Sequence, residues 1–408
     1  MKRPEPLPAY ALFAGMLAMA GLPIYIHAPK FYVDEYGVGL GALGLVLFGL
    51  RMLDFVQDPA LGWVSERFRR HRGASVAGAA VLIVVSMLAL FAVEPLLPPL
   101  LWFGIALTGL FSAFSFLTIC FYAQGVQKAQ TLGARGHVRL AAWRETGALV
   151  GVSIAAVLPT LLAAAFGHPF TLFAAGFAGL ALFAAFAMRR EWSTASDAPP
   201  AGFGPVLSDG PARRLLLIAL VNATPVAISS TLFLFFVESR LAAPGWEGPL
   251  LLLFFLAAAA SAPIWGRAAQ HYGAKPVLLF GMVLSILAFG WAAALGAGDV
   301  VAFAVICIAS GVALGADMTL LPAIFAARMA RIAPNAGQAF GIWSFVSKFT
   351  LAFAAITLLP LLEASGFVSG QVNPDAALTT LTILYALLPC ALKLIAIALL
   401  AATPIEES

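Results

Sequence analysis

Charged residues are scarce in this 408-residue sequence, where Asp, Glu, Lys and Arg together make up 10%. Soluble domains are about a quarter charged, so the composition excludes an ordinary soluble protein. Cysteine is scarcer still: Cys120, Cys307 and Cys390 stand in apolar runs without ligand or pairing spacing, which argues against a disulfide framework or a metal site. The sequence also lacks an HExxH pair, a nucleophile elbow and a P-loop, which excludes several common enzyme classes.

Apolar residues are abundant instead, at 62% of the chain with a mean hydropathy of +0.97. A membrane-spanning helix needs about 20 mostly apolar residues, and the runs here are continuous, whereas the strands of a transmembrane barrel alternate. The first run follows Lys2 and Arg3 without a cleavage site, so we read it as a helix and not as a signal peptide. We expect an all-α membrane protein with twelve transmembrane helices, near residues 9–29, 39–64, 75–93, 97–123, 139–165, 169–188, 213–238, 249–268, 276–296, 299–325, 338–363 and 376–401.

The basic residues predict the orientation of the chain. Seventeen lie in loops on the side that holds the N-terminus, and only Lys30 and Arg240 lie on the other side. Because cytoplasmic loops carry the excess of Lys and Arg, we expect both termini in the cytoplasm. A multi-pass protein of a plasma membrane, specifically a bacterial inner membrane, follows from this pattern. The net charge of +4 is explained by loops that face anionic lipid, so we expect membrane lipid as a partner and no nucleic acid.

The chain divides into two similar halves. Residues 191–212 form a linker rich in Pro, Gly, Ser and Ala, which separates an N-terminal six-helix half, 1–190, from a C-terminal one, 213–408. Each half has a glycine-rich basic loop between its second and third spans, marked by Gly62, Arg67 and Gly73 and by Gly266 and Gly273. Two six-span halves with matching loops indicate a parallel repeat. This layout, and the loops themselves, resemble the major facilitator superfamily with its Gly-x-x-x-Asp-Arg-x-Gly signature.

Two acids lie close together in the second span, where residues 51–59 read RMLDFVQDP. Asp54 and Asp58 are one helical turn apart, so they share a helix face at about 5–6 Å. At that distance two carboxylates repel by roughly 3 kcal/mol at an effective dielectric near 20. Arg51 lies on the same stripe, but one Arg does not neutralise two carboxylates. The pair predicts a coupling-ion site for H⁺ or Na⁺, against the alternative of a salt bridge that only permits insertion.

Neighbouring polar groups extend this predicted cation site. Gln57 adds a carbonyl oxygen beside the acids, and Ser115 and Thr118 of the fourth span offer hydroxyls to a hard cation, although such hydroxyls also bond their own helix backbone. Lys348 is a predicted partner for Asp54 or Asp58 when the ion is absent. Beyond a possible Na⁺ between the two acids, we expect no metal and no cofactor.

Other buried charges suggest a solute site, because intramembrane ionisable residues are functional candidates by default. Arg144 and Glu145 are sequence neighbours that face different directions on a helix, so we expect them to have separate partners, with Arg144 pointing into the cavity. Asp317 is a candidate for solute binding or for helix packing. We expect Lys393 to snorkel from a helix end and Asn222 to bond between helices.

The stretch from Asp54 to Trp63 resembles the second helix of the glycoside–pentoside–hexuronide:cation symporters, a sugar-transporting family whose pattern there is Asp-x-x-Asn-Asp-Pro-x-x-Gly. The resemblance implies that both carboxylates bind the cation. It also implies that Tyr122, Arg144 and Asp317 lie in or near the solute site and that Lys348 faces the cation. The chain departs from that family where its sugar-binding acids stand, which are Ala18 and Thr118 here, and Gln57 replaces the family Asn.

The sequence therefore predicts a cation-coupled secondary transporter of a small organic solute, sugar-like by resemblance, that works by alternating access. We expect a monomer and no enzymatic activity. An alternative is a lipid or amphipath carrier of the same fold, favoured by the missing sugar-binding acids. A remote alternative is a metal-dependent membrane phosphotransferase, which would need further carboxylates that the sequence lacks.

Overall fold

A computed structural model describes residues 7–133, 135–163, 165–193, 202–333, 335–368 and 371–405 of the protein. These residues are α-helical almost throughout, and they divide into two compact units. The first unit comprises Met1–Val206 with Met329–Phe345, and the second comprises Leu207–Arg328 with Val346–Ser408. The linker predicted at 191–212 is described only at its two ends, since residues 194–201 lie outside the described ranges.

The first unit is built from seven helices: α1 Leu7–Met19, α2 Leu22–Tyr36, α3 Leu40–Arg67, α4 Arg72–Phe91, α5 Pro99–Thr131, α6 Gly136–Ala163 and α7 Pro169–Met188. The first predicted span is two helices, because the chain leaves helical geometry at Gly21. A short helix, α8 Gly204–Ser208, lies where the first unit ends and the second begins. The core of the unit is a cluster of aromatic and aliphatic side chains in which Tyr10, Phe13 and Phe121 are fully or almost fully buried.

The second unit contains α9 Gly210–Phe235, α10 Glu247–Tyr272, α11 Ala274–Gly290, α12 Val300–Ile332, α13 Gly337–Ala364, α14 Asp375–Thr382 and α15 Leu388–Ala401. The C-terminal end of α12 and the N-terminal end of α13 belong to the first unit. Asp209 caps α9 by accepting a hydrogen bond from Ala212 N, at 2.8 Å, and it pairs with Arg328 of α12. The hydrogen bonds from the Arg328 guanidinium hold the pKa of the Asp209 carboxyl below its usual range.

Ten helices of the described residues are long and apolar enough to cross a membrane. They correspond to ten of the twelve predicted spans. The first span is represented by the shorter apolar helix Leu7–Met19 followed by α2. The second is α3, a continuous 28-residue helix whose apolar run contains Arg51, Asp54 and Asp58, and it is not among the ten. The protein is therefore an all-helical, multi-pass membrane protein, while twelve spans remains a prediction.

Candidate functional site

The two acids of α3 are buried. Asp54 is 4% exposed and Asp58 is 0% exposed. The Asp58 carboxylate accepts a hydrogen bond from the hydroxyl of Ser344, with Oγ and Oδ2 2.6 Å apart. An Arg51 guanidinium nitrogen lies 3.9 Å from Asp54 Oδ2, which is a long contact for an ion pair. The structure therefore places both carboxylates in the first unit, away from solvent, as the sequence led us to expect.

Ser344 is a residue that the sequence did not identify. It belongs to the first nine residues of α13, which pack in the first unit although they come from the second half of the chain. A serine in an apolar helix usually bonds its own backbone, and nothing in the pattern around it suggested a carboxylate partner. Only the tertiary contact shows its role.

The predicted oxygen ligands lie on α3 and on α5, which packs beside it. The side-chain carbonyl of Gln57 accepts a hydrogen bond from the Ser112 hydroxyl at 2.9 Å, so Ser112 is a further polar neighbour. Ser115 is completely buried. The hydroxyl oxygen of Thr118 is buried and has no hydrogen-bond partner among the described residues. The structure thus places these hydroxyls on the helix beside the acids, and their role as cation ligands stays a prediction.

Arg144, Glu145 and Tyr122 form one buried cluster on α5 and α6. Arg144 Nε donates to Glu145 Oε1 at 2.7 Å, and the Tyr122 hydroxyl donates to the same oxygen at 3.1 Å. The guanidinium lies over the Tyr122 ring, 3.8 Å from its centroid, and Arg144 is only 5% exposed. The expectation that Arg144 and Glu145 have separate partners is wrong: the long Arg side chain turns back across the Tyr ring to reach its neighbour.

One nitrogen of this cluster is not used. Arg144 Nη2 is buried and has no hydrogen-bond partner among the described residues. A buried donor without a partner loses the free energy of its hydration, roughly 1–3 kcal/mol. Thr118 lies four residues before Tyr122, so it is on the same face of α5. The cluster thus offers a guanidinium donor and a hydroxyl to an incoming oxygen atom.

A second buried ion pair lies in the second unit. Lys393 of α15 donates to Asp317 Oδ2 of α12 in a short contact and to Asn222 Oδ1 of α9 at 2.7 Å. Lys393 is 2% exposed, so the expectation that it snorkels to a helix end is wrong. The desolvated ammonium is stabilised by two oxygen acceptors instead. The expected interhelical bond of Asn222 is confirmed.

Two further predicted site positions, Ala18 and Lys348, are half-buried. Ala18 is half-buried near the end of α1, and its carbonyl accepts a hydrogen bond from Gly21 N at 3.2 Å. Lys348 is half-buried and belongs to the second unit, whereas Asp54 and Asp58 belong to the first. The bridge predicted between Lys348 and these acids stays a prediction.

The glycines of the first loop allow a close helix contact. A side chain at Gly62 would meet Gly337 O at 2.9 Å, and both residues lie in the first unit. Beside this contact the Glu66 carboxylate accepts a hydrogen bond from Gln338 N at 2.9 Å. Arg67 and Gly73 are exposed.

In the second loop Gly266 is buried within α10. Gly273 ends that helix with φ +91°, a conformation that glycine adopts without strain. The two loops are similar in sequence, but their glycines differ in structure: Gly62 allows a close helix contact, whereas Gly273 ends a helix.

Metal chemistry was expected only as a possible Na⁺ at the α3 acids. In the described part of the chain, no group of three or more His, Cys, Asp or Glu side chains is arranged to hold a metal ion. Cys120, Cys307 and Cys390 are free thiols, and the first two are buried. An oxygen site made by two carboxylates and hydroxyls is therefore the kind of cation site that these residues can form.

The chain is similar to known transporters. A family model described as "MFS/sugar transport protein" matches residues 8–407. A search of curated proteins finds no significant match. Among solved structures, a bacterial homologue of the iron transporter ferroportin in an outward-facing state has 14% identity and a TM-score of 0.70, with 97% of this chain and 98% of that chain covered.

Two sugar symporters are also similar in structure. The Escherichia coli fucose:proton symporter has 12% identity and a TM-score of 0.69, covering 96% of this chain and 98% of its own. The proton:xylose symporter XylE, bound to 6-bromo-6-deoxy-D-glucose, has 12% identity and a TM-score of 0.68, covering 98% and 95%. These likenesses establish the fold, and the expectation that the protein is not an enzyme is confirmed by its family. The chain belongs to the MFS/sugar transport protein family and has the major facilitator fold.

Proposed function

We propose that this membrane transporter is a secondary transporter that couples the movement of a small organic solute to H⁺ or Na⁺ by alternating access. The solute is sugar-like, and the protein is a member of the glycoside–pentoside–hexuronide:cation symporters in a bacterial inner membrane. It acts as a monomer, without a cofactor, among membrane lipids. The observation that supports the proposal best is the complete burial of Asp58 one helical turn from the buried Asp54.

Because both carboxylates are buried, the free energy of this site depends on how many of the two are ionised. Two ionised acids at i and i+4 repel by about 3 kcal/mol at an effective dielectric near 20, in addition to the cost of removing each from water. The hydroxyl of Ser344 stabilises the Asp58 carboxylate without neutralising it. A proton on one acid, or a Na⁺ shared by the two, removes the repulsion. The empty, doubly ionised form is therefore the unfavourable one, and cation binding favours the loaded form.

The solute binds at Arg144, Thr118 and Tyr122 in this proposal, with Ala18 and Asp317 as further positions. The unused nitrogen of Arg144 and the unused hydroxyl of Thr118 fit hydroxyl or carbonyl oxygens of a solute. Because no carboxylate stands at Ala18 or Thr118, a lipid or amphipath is the second candidate class. Solute-dependent thermal shifts with sugars and with a lysophospholipid, with and without Na⁺, separate the two classes.

The coupling role is tested in proteoliposomes with an imposed proton or Na⁺ gradient. D-xylose, L-fucose, D-glucose and melibiose serve as probes. Asp58→Asn keeps the size and the hydrogen-bond acceptor but removes the charge, so we expect uphill accumulation to fall to the equilibrium level while downhill exchange persists. Asp375→Asn, at an exposed residue at the start of α14, is the matched control and keeps accumulation. Unchanged accumulation in Asp58→Asn would contradict the proposal.

A further inference from the structure

Three helices of the second unit meet at a buried polar group, the Lys393 triad, which consists of Lys393, Asp317 and Asn222. The three residues are 2%, 7% and 5% exposed, and they come from α15, α12 and α9. Each lies inside an apolar helical stretch that is long enough to cross a membrane, namely Gly210–Arg240, Val300–Ile332 and Asp375–Ala401. A single buried charge in that position costs about 2.5–3.5 kcal/mol on insertion scales. The triad therefore carries a free-energy cost of membrane insertion in an otherwise apolar unit.

The hydrogen bonds of the triad are incomplete. An ammonium has three N–H donors, and Lys393 uses two of them within the described residues, toward Asp317 Oδ2 and Asn222 Oδ1. Asp317 Oδ1 is buried and accepts no hydrogen bond from any described residue. Buried polar groups in native proteins are nearly always satisfied. One donor and one acceptor are thus left side by side on an ion pair.

The charge of the triad restricts what completes it. Lys393 and Asp317 together are neutral, so an added anion would leave the Asp317 charge uncompensated, and an added cation would do the same to Lys393. A neutral group that donates to Asp317 Oδ1 and accepts from Lys393 Nζ satisfies both atoms. A hydroxyl has both capacities in one atom, whereas a carboxylate has no donor and an ammonium has no acceptor.

We infer that the Lys393 triad is a binding subsite for a hydroxyl group of the transported solute. The inference rests on the proposed function, because it assigns one contact of the solute, and it narrows the substrate class to neutral, hydroxyl-bearing molecules. Lys393 and Asn222 act here with Asp317, which alone had been a candidate from the sequence. Lys393 orients the carboxylate, and Asn222 holds the ammonium.

Equilibrium binding to the purified protein tests this subsite without any ion gradient. The probes are three: D-galactose as a neutral polyol, D-galacturonate as its carboxylate analogue, and lysophosphatidylcholine as an amphipath. We expect the neutral sugar to bind the wild type more tightly than its carboxylate analogue. The double variant Asp317→Asn with Lys393→Met removes both charges together, so no buried charge is left unpaired. It should bind D-galactose about ten-fold more weakly or worse.

A matched control exists in the same unit. Asp209 and Arg328 form a second ion pair between the start of α9 and α12, and Asp209→Asn with Arg328→Met removes it in the same way while keeping an Asn cap. This control should leave D-galactose affinity unchanged. The same affinity in the two double variants would overturn the inference, as would a wild type that binds only the carboxylate or only the lysolipid, or no neutral sugar at all.

If the triad variant does not fold, the wild-type probe series still overturns the inference when no neutral sugar binds. Accumulation by Asp58→Asn and sugar binding by the triad variant distinguish failure of the coupling proposal from failure of the subsite. If Asp58→Asn keeps uphill accumulation while the triad variant loses sugar binding, the coupling proposal fails and the subsite stands. If Asp58→Asn abolishes accumulation while the triad variant binds sugar normally, the reverse holds.

Discussion

The four acids inside the predicted spans differ in the residue that contacts each of them. Asp54 has a guanidinium at 3.9 Å, Asp58 has a hydroxyl at 2.6 Å, Glu145 has the Arg144 guanidinium and Asp317 has the Lys393 ammonium. Glu145 and Asp317 are each neutralised by a full ion pair. The α3 acids are the two that we propose to share the coupling cation.

Tyr122 has two separable contacts with its cluster, and substitutions distinguish them. Tyr122→Phe removes the hydroxyl that donates to Glu145 but keeps the ring beneath Arg144, so we expect a loss of about 1 kcal/mol of stability. Tyr122→Leu also removes the cation–π contact, which contributes up to about 2 kcal/mol when desolvated. The melting temperature and the affinity for D-galactose should therefore both fall in the order wild type, Tyr122→Phe, Tyr122→Leu. Equal effects of Phe and Leu would show that the ring does not hold Arg144.

At the scale of helices, α1 and α6 approach each other through small residues. Ala11 and Gly15 on α1 face Gly147 and Gly151 on α6, each pair spaced by four. A side chain at Gly147 would meet Ala11 O at 2.0 Å, and one at Gly151 would meet Gly15 O at 2.2 Å. Small residues at this spacing let helix backbones pack closely in a membrane, where dispersion and not the hydrophobic effect drives association.

Gly151→Ala tests this contact with the smallest possible side chain. Because the obstacle is backbone, the two helices must move apart, and we expect a loss of about 1–3 kcal/mol in the free energy of unfolding. Gly176→Ala on α7 is the matched control, since its added Cβ would have no atom within 4 Å, and its expected effect is neutral or slightly stabilising. Thermal unfolding in detergent measures both. A melting temperature for Gly151→Ala equal to that of the control would contradict the close packing.

The whole molecule is assembled from units that do not coincide with its sequence halves. Residues 329–345 come from the second half but pack in the first unit. Three contacts hold them there: Ser344 with Asp58, Gln338 with Glu66, and Gly341 against the Asp58 carbonyl, where a Cβ would lie at 2.8 Å. The proposed cation site is therefore directly connected to a segment whose helix continues into the second unit. We expect this contact to open in the proposed alternating-access cycle.

Gly341→Leu should force that contact open. With Cys120, Cys307 and Cys390 replaced by Ala, a single Ser65→Cys reports the opening, because Ser65 is 2% exposed and lies against Gly337. We expect its reaction with a membrane-impermeant thiol reagent to be several-fold faster in the Gly341→Leu protein. Gly179→Leu on α7, a position with open space around the glycine, is the control and should leave the rate unchanged. A rate in Gly341→Leu that stays at the wild-type value would mean that α13 does not control access to α3.

The sequence by itself determined the features that depend on composition and local period. Long apolar runs predicted the membrane helices, since each must satisfy its own backbone in lipid, and the one-turn spacing of Asp54 and Asp58 predicted a shared helix face. The paired loops predicted the major facilitator fold that the family match bears out. The same reasoning missed the break of the first span at Gly21 and treated Arg144 and Glu145 as separate, because a flexible side chain is not confined to the direction of its Cα–Cβ bond.

Only the tertiary structure decided which polar groups meet. Lys393 and Asp317 are 76 residues apart in the chain, and Ser344 and Asp58 are 286 apart. No local rule brings such residues together, because the contacts depend on how the helices pack and on the small residues that let them approach. Ionisable residues inside apolar spans are costly, so the sequence already required that they be paired or neutralised. The pairs themselves, and the atoms left without a partner, come from the packing of the helices.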